Sequence, residues 1–207
     1  MANEVEMAGA NLKVPPMAVN SEMRQALKGH GSAVLWFTGL SGAGKSTTAS
    51  AVEAQLHAMG CHTVMLDGDH LRHGLCADLD FSPESRRENI RRTGEVAALF
   101  ADAGIIVLAA FISPYADDRA RVRKVVGEAR FIEIHCASPL AVCEQRDVKG
   151  LYAKARAGQI TDFTGVSSPY EAPAQPELVL DTAGQSTEVC AEAVIKLLHQ
   201  RGIIPIR

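Results

Sequence analysis

The chain has 207 residues, 47% of them hydrophobic and 22% charged, with a formal net charge of −3. That length and composition suit one α/β domain with a real core. The small negative charge gives no reason to expect a nucleic acid or other polyanion as partner, and with no apolar run near about 18 residues no membrane span is expected.

The N-terminus carries Glu4 and Glu6 with no apolar stretch behind them. It does not read as a signal peptide, so a cytoplasmic location is expected. Residues 1 to about 30 lack periodicity and contain Pro15-Pro16. They are expected to form a flexible arm, with a short helix around Glu22 to Lys28. Residues 31–207 then form a single domain. Its first strand is Ala33 to Thr38, a short apolar run. Lys45 to Met59 has helical spacing (Ala49, Val52, Leu56, Met59) and stops at Gly60. Thr63 to Leu66 is the second strand. Ser82-Pro83 supplies an N-cap and a first-turn proline for a helix running to about Asp102.

Ile105 to Phe111 is almost continuously apolar, as a strand buried on both faces should be. Asp117 to Val126 is a helix closed by Gly127. Phe131 to Ile134 is a fourth strand, Pro139 to Arg146 opens a helix, Leu178 to Leu180 is a short fifth strand, and Thr187 to Gln200 is the last helix. Such alternation predicts a mainly parallel sheet of about five strands with helices on both faces. Asp147 to Pro176 breaks the alternation. It is polar, rich in Gly and Pro, and carries Lys149, Lys154 and Arg156. A loop of that length inside a compact domain is usually functional, and it reads as a substrate lid.

Gly39-Leu40-Ser41-Gly42-Ala43-Gly44-Lys45-Ser46-Thr47 matches G-x-x-x-x-G-K-[ST] between a predicted strand and a predicted helix, the context a P-loop requires. Gly39, Gly42 and Gly44 permit a tight turn that brings backbone N–H groups to phosphate oxygens. The helix N-terminus adds partial positive charge. Lys45 can reach the β- and γ-phosphates of ATP, and the Ser46 hydroxyl is placed to ligate Mg²⁺. The motif alone does not name a reaction. The guanine-specifying N-K-x-D pattern is missing, since none of Asn3, Asn11, Asn20 and Asn89 begins it; a GTPase switch is disfavoured.

Asp67-Gly68-Asp69 ends the second strand, at the sheet edge that faces ligands in open α/β folds. Those acids either orient Mg²⁺ water, accept a hydroxyl proton, or form a polar turn; Arg72 beside them suits a phosphate-bearing acceptor. Arg86 and Asn89 share a helix face close to Phe81, which suits anion and base recognition. Arg87 and Arg91 read as solvated charges with Glu84, Glu88 and Glu95 as partners. Ser113 ends the third strand. It could bind substrate, accept phosphate covalently, or serve only as the turn residue before Pro114. Cys61, Cys76, Cys136, Cys143 and Cys190 are odd in number with no C-x-x-C pair, and read as reduced thiols partly buried in the core. His70, His73 and Cys76 have a spacing that could suggest zinc but lack an evident fourth ligand.

Several of these segments, together with Asp67-Gly-Asp-x-x-Arg72-x-Gly-Leu75, Phe81-Ser-Pro, Arg86-x-Glu-Asn89-Ile-Arg-Arg, Phe111-Ile-Ser113-Pro-Tyr115, Cys143-Glu-x-Arg146-Asp, Lys149-Gly-Leu-Tyr-x-Lys154-Ala-Arg156-Ala-Gly and Phe163-Thr-Gly-x-x-Ser-Pro-Tyr-Glu171, resemble the adenylylsulfate (APS) kinases from about Arg24 onward. The resemblance implies the three-layer P-loop NTPase fold and the reaction ATP + adenylyl sulfate → ADP + 3′-phosphoadenylyl sulfate, with Mg²⁺, in sulfate assimilation. It implies that Arg72, Phe81, Arg86 and Asn89 hold the acceptor, with Ile112 and Ser113 lining its pocket and Lys149 and Phe163 closing from the lid. Arg146 and Thr182 are implied near the ATP adenine. Ser113 matches a serine described in the bacterial family as a phosphorylated intermediate. A homodimer is implied as well, and a sulfurylase partner is an option that the sequence leaves open. Asp69 is the leading base, or organiser of a Mg²⁺-bound water, with Asp67 second. Val148, Ala116 and Ser167 depart from the family's usual Pro, Arg and Asp.

Overall fold

The computed structural model describes residues 18–205; the earlier part of the expected arm lies outside the described residues. Helix α1 (Ser21–Lys28) is the short helix expected there. The Asn20 side chain caps it by accepting the Met23 N–H at 2.9 Å, and Gly29, at φ 72°, ends it. It is tied to the body of the domain, because Arg24 donates to the Asp102 carbonyl at 3.2 Å.

Five parallel strands form one sheet in the order β2-β3-β1-β4-β5: β1 (Ala33–Thr38), β2 (Thr63–Asp67), β3 (Ile106–Ala110), β4 (Phe131–Cys136) and β5 (Leu178–Leu180). Every residue of β1 and β3 is buried. Strand alternation then divides the core in two. Leu35, Phe37, Leu108 and Ile134 face α2 (Lys45–Ala58) and α8 (Thr187–Gln200). Val34, Trp36, Val107 and Phe131 face α4 (Pro83–Asp102) and α5 (Ala116–Val126). The result is a helix–sheet–helix sandwich, and the predicted strands and long helices lie within about two residues of their observed bounds.

Ser82 caps α4 as predicted, accepting the Ser85 N–H at 3.3 Å, with proline in the first turn. Two short helices were not expected. One is α3 (Gly68–Leu71), a single turn started by the Asp67 side chain. The other is α7 (Leu151–Arg156), which follows α6 (Leu140–Arg146) inside the segment read as irregular lid. The Asp147 carboxylate accepts the N–H groups of Tyr152 and Ala153, both at 3.0 Å, and Tyr152 and Ala155 turn into the core. Six residues are too few to show a helical period in sequence. All five cysteines are buried thiols. Among the described residues no group of three or more His, Cys, Asp or Glu could hold a metal ion, and no helix is long and apolar enough to cross a membrane.

The two helices behind the acceptor side meet at Gly94, where a Cβ would come within 2.9 Å of Val122 Cγ2. Replacement by alanine raises helix propensity by about 1 kcal/mol, but overpacking a tight contact against a stiff valine costs about 1–3 kcal/mol. Gly94→Ala should therefore lower the thermal unfolding midpoint, and Gly94→Val should lower it further. A rise in Tm for Gly94→Ala would show that the α4–α5 contact is looser than described.

Candidate active site

The centre of the sheet delivers β1 into the loop Gly39–Thr47, with β3 and β4 on either side. Gly39 has φ 152°, and a Cβ there would lie 2.7 Å from the Cys136 carbonyl oxygen, so the loop leaves the strand only through glycine. Gly44, at φ 83°, is the N-cap of α2 and has no side chain to give, which leaves the first-turn N–H groups available to an anion. Lys45 folds back over the loop. Its Nζ donates to Gly39 O at 3.0 Å and Leu40 O at 2.7 Å, and the residue is only 9% exposed. Burial pushes the ammonium pKa down to about 8.

Ser46 Oγ donates to Asp67 Oδ2 at 2.6 Å, while Asp67 Oδ1 accepts the Asp69 N–H at 3.0 Å. Ser46 and Asp67 thus present two adjacent hard oxygen donors at the helix N-terminus, a set that suits Mg²⁺. Asp69 lies two residues on and is paired with Lys149 of the lid. On the far side of the loop, Arg146 donates to Gly42 O at 3.2 Å and to Thr182 O at 2.7 Å. The Thr182 hydroxyl is buried without a partner beside the cradle.

A single cavity of about 990 Å³ joins this cradle to the predicted acceptor residues. Of the residues expected from the sequence to bind ATP, metal or acceptor, only Gly39, Leu40 and Ala43 do not line it. Arg72 donates to the carbonyls of Leu79 and Asp80 at 3.1 and 2.8 Å, and its guanidinium lies 4.2 Å from the centre of the Phe81 ring. Arg86 gives Nε to Phe81 O (2.8 Å), Nη1 to Thr164 Oγ1 (3.0 Å) and Nη2 to Asp162 O (2.6 Å). A guanidinium has five N–H groups, so two of them fasten the lid to α4, one holds the Phe81 carbonyl, and two are left for a ligand. Asn89 is buried on the same helix face. Phe163 is buried too, edge-on to Tyr152 at 5.0 Å between ring centres.

Ser113 is 2% exposed with φ 40°. Its Oγ accepts the Trp36 indole N–H at 3.1 Å and donates to Thr38 Oγ1 at 3.0 Å; Thr38 in turn donates to Ile112 O at 2.7 Å and lies 3.0 Å from Tyr170 OH. The hydroxyl proton is therefore already committed.

Sequence reasoning missed the residues that support these walls. Arg119 is 3% exposed and donates to Glu133 Oε1 (2.6 Å), Ser113 O (2.7 Å) and Glu171 O (2.7 Å), so one side chain joins β4, the acceptor wall and the end of the lid. In sequence it is one of several charges on a polar helix; its only signal is a place at the end of the first turn of the helix that follows β3. Among the departures, Ser167 Oγ accepts the Phe163 N–H at 2.9 Å, so an acceptor is kept there, whereas Val148 is left 83% exposed.

Comparison with known proteins agrees with this geometry. The family model described as Adenylylsulphate kinase matches residues 31–181. The adenylyl-sulfate kinase of Acaryochloris marina is 59% identical over 96% of this chain and 97% of its own length. The bifunctional enzyme NodQ of Azospirillum brasilense is 55% identical over 94% of this chain, which spans 31% of that protein. Among solved structures, the APS kinase of Mycobacterium tuberculosis in complex with AMPPNP and APS superimposes with a TM-score of 0.79 at 52% identity, over 82% of this chain and 98% of that one. Motif, fold and near full-length relatives agree, and the chain belongs to the adenylylsulphate kinase family.

Proposed function

We propose that this protein transfers the γ-phosphoryl group of ATP to the 3′-hydroxyl of adenylyl sulfate, giving 3′-phosphoadenylyl sulfate and ADP. The observation that carries this reading is the single cavity in which a P-loop cradle faces Arg72, Phe81, Arg86 and Asn89. One end suits a polyphosphate. The other offers two arginines, an aromatic ring and a buried amide, which suits a nucleotide carrying a second anion. The relative solved with AMPPNP and APS supports the same pair of ligands.

Transfer is in line and direct. The acceptor 3′-oxygen forms a bond to the γ-phosphorus, the bond from that phosphorus to the β,γ-bridging oxygen breaks, and ADP leaves. Lys45 balances charge on the transferring group, and the α2 N-terminus holds the donor phosphates. Asp69 takes the proton of the attacking hydroxyl, within reach of the Lys149 ammonium that approaches from the lid. Ser46 and Asp67 would hold Mg²⁺, a role the sequence expectation offered to Asp69 by way of a water, because Asp67 and not Asp69 contacts Ser46. There it would supply charge neutralisation at the phosphates. Ser113 is assigned to positioning: attack by its oxygen requires breaking the bonds to Trp36 and Thr38 first. Arg146 and Thr182 take the adenine end of ATP. Coupling to a sulfurylase belongs to the same proposal; the bifunctional relative, of which this chain spans 31%, carries a domain similar to this chain joined to a longer one.

The experiment for this reading is an ADP-release assay with purified protein and a panel of acceptors: adenylyl sulfate, nucleoside monophosphates and sugar acids. Adenylyl sulfate should be the efficient acceptor. A different acceptor used better, or tight ATP binding with no ADP release, would contradict the proposal. Lys45→Met should lower kcat/KM by about 10³-fold, the scale of a lost charge-stabilising donor; near-normal turnover would remove Lys45 from the chemistry. Ser113→Ala should keep kcat within about tenfold, since only buried hydrogen bonds are lost; abolished turnover would restore a phosphoserine route.

Lys45 also sets a pH dependence. With a pKa near 8 in the free protein, the charged form is complete below that value and fades above it. Phosphate binds the charged form, so the Kd for ATP should be flat below about pH 8 and rise by up to about tenfold per unit above it. A Kd that stays flat through about pH 9.5 would show that the loop does not desolvate the amine.

A further inference from the structure

The two arginines that end the run Arg86-x-Glu-Asn89-Ile-Arg91-Arg92 take no part in the cavity. Arg91 is bound to Glu88 and Glu95 on its own helix with 58% of its side chain exposed, an ordinary solvated pair of small energetic weight. Arg92 is different. Its side chain is 26% exposed and leaves the helix for the loop 72–82, which joins α3 to α4. Nη1 donates to Asp78 Oδ1 at 2.6 Å and to Leu75 O at 3.0 Å, and Nη2 donates to Asp78 Oδ2 at 2.8 Å. Nε is held at 2.8 Å by Glu88 one turn earlier, which orients the fork. A bidentate guanidinium–carboxylate pair fixes direction as well as distance. The Arg92 guanidinium also holds the Asp78 carboxyl below its ordinary range.

That loop carries the acceptor residues at its ends. Arg72 enters it and Phe81 leaves it, and both line the cavity. Arg72 is aimed by the carbonyls of Leu79 and Asp80, the two residues that follow Asp78, and it stacks on Phe81. Arg86 fastens the exit of the loop at Phe81 O. Among the described residues, Arg92 is the side chain from beyond the loop that reaches its middle, at Leu75 and Asp78. The path is then continuous: Arg92 sets Asp78, Asp78 sets the next two carbonyls, and those carbonyls aim Arg72 across Phe81. No hydrogen bond from Arg92 leads to the phosphate cradle.

We propose that Arg92, acting through Asp78, is a positioning residue for the acceptor: it fixes the loop that presents Arg72 and Phe81 to the sulfated nucleotide. This rests on the acceptor reading given above.

Steady-state kinetics on the full-length chain separate the possibilities. Arg92→Met and Asp78→Asn should each raise KM for adenylyl sulfate by about tenfold, the scale of one lost charge-assisted contact, while KM for ATP and kcat stay within about twofold. Because the two residues act through one contact, the double variant should be no worse than the more damaged single variant. Asp78 is 60% exposed in its side chain, so Asp78→Asn keeps the test open even where Arg92→Met folds poorly. An active wild type with an Asp78→Asn variant whose KM for adenylyl sulfate is unchanged, or whose two KM values rise together, overturns the role of Arg92 alone. A wild type inert toward adenylyl sulfate overturns both this role and the acceptor reading.

Discussion

Lys45 is an ammonium group almost cut off from water, and the loop that encloses it offers only two carbonyl oxygens in return. Neutral dipoles do not balance a whole charge in a poorly solvated place, which is why the pKa falls to about 8. The site is short of an anion, and the uncapped N-terminus of α2 adds to the deficit. A polyphosphate satisfies both at once. The glycines follow from the same requirement. A backbone that must wrap so tightly around a buried charge leaves a Cβ at Gly39 only 2.7 Å from the Cys136 carbonyl oxygen, and side chains do not fit there.

The acceptor half has the opposite construction. Its cations are not buried and unsatisfied but spread over a wall and a lid, and each arginine is partly occupied with aiming another segment. Arg72 aims itself on loop carbonyls, Arg86 fastens the lid to α4, and Arg119 ties the end of the lid to the Ser113 corner. The strained φ of 40° at Ser113 is tolerable because its hydroxyl, its carbonyl and the preceding carbonyl are all held, by Trp36, Thr38 and Arg119. Phosphoryl transfer has little need of covalent help from the protein and a great need of alignment. A donor half that draws phosphate in by charge and an acceptor half that fixes position by shared arginines are consistent with that demand.

What could be read in the sequence is what is set locally. β1 and β3 show as apolar runs because both their faces are buried. The P-loop shows because its backbone demands glycine at fixed places, and α4 shows because its cap and first-turn proline are adjacent in the chain. The order of the strands does not show, since nothing in Thr63–Asp67 says that β3 lies between it and β1. The division of labour between Asp67 and Asp69 depends on which carboxylate meets Ser46, 21 residues away in the chain. Arg119 and Arg92 look like their solvated neighbours until the partners at Ser113, Glu171, Leu75 and Asp78 are brought in by the fold. The helix α7 hides in the lid because its cap, Asp147, works at a distance that a short segment cannot advertise.

The claim at the centre of this account is that one cavity holds both nucleotides and passes phosphate straight between them. The fate of the γ-phosphate in a single turnover measures it most directly. With excess protein, γ-labelled ATP and adenylyl sulfate, followed by rapid quenching, the label should move from ATP to the 3′-position of the acceptor with matching amplitudes and none on the protein at any time. Label that appears first on the chain, or that ends as inorganic phosphate while adenylyl sulfate is unchanged, would contradict the account.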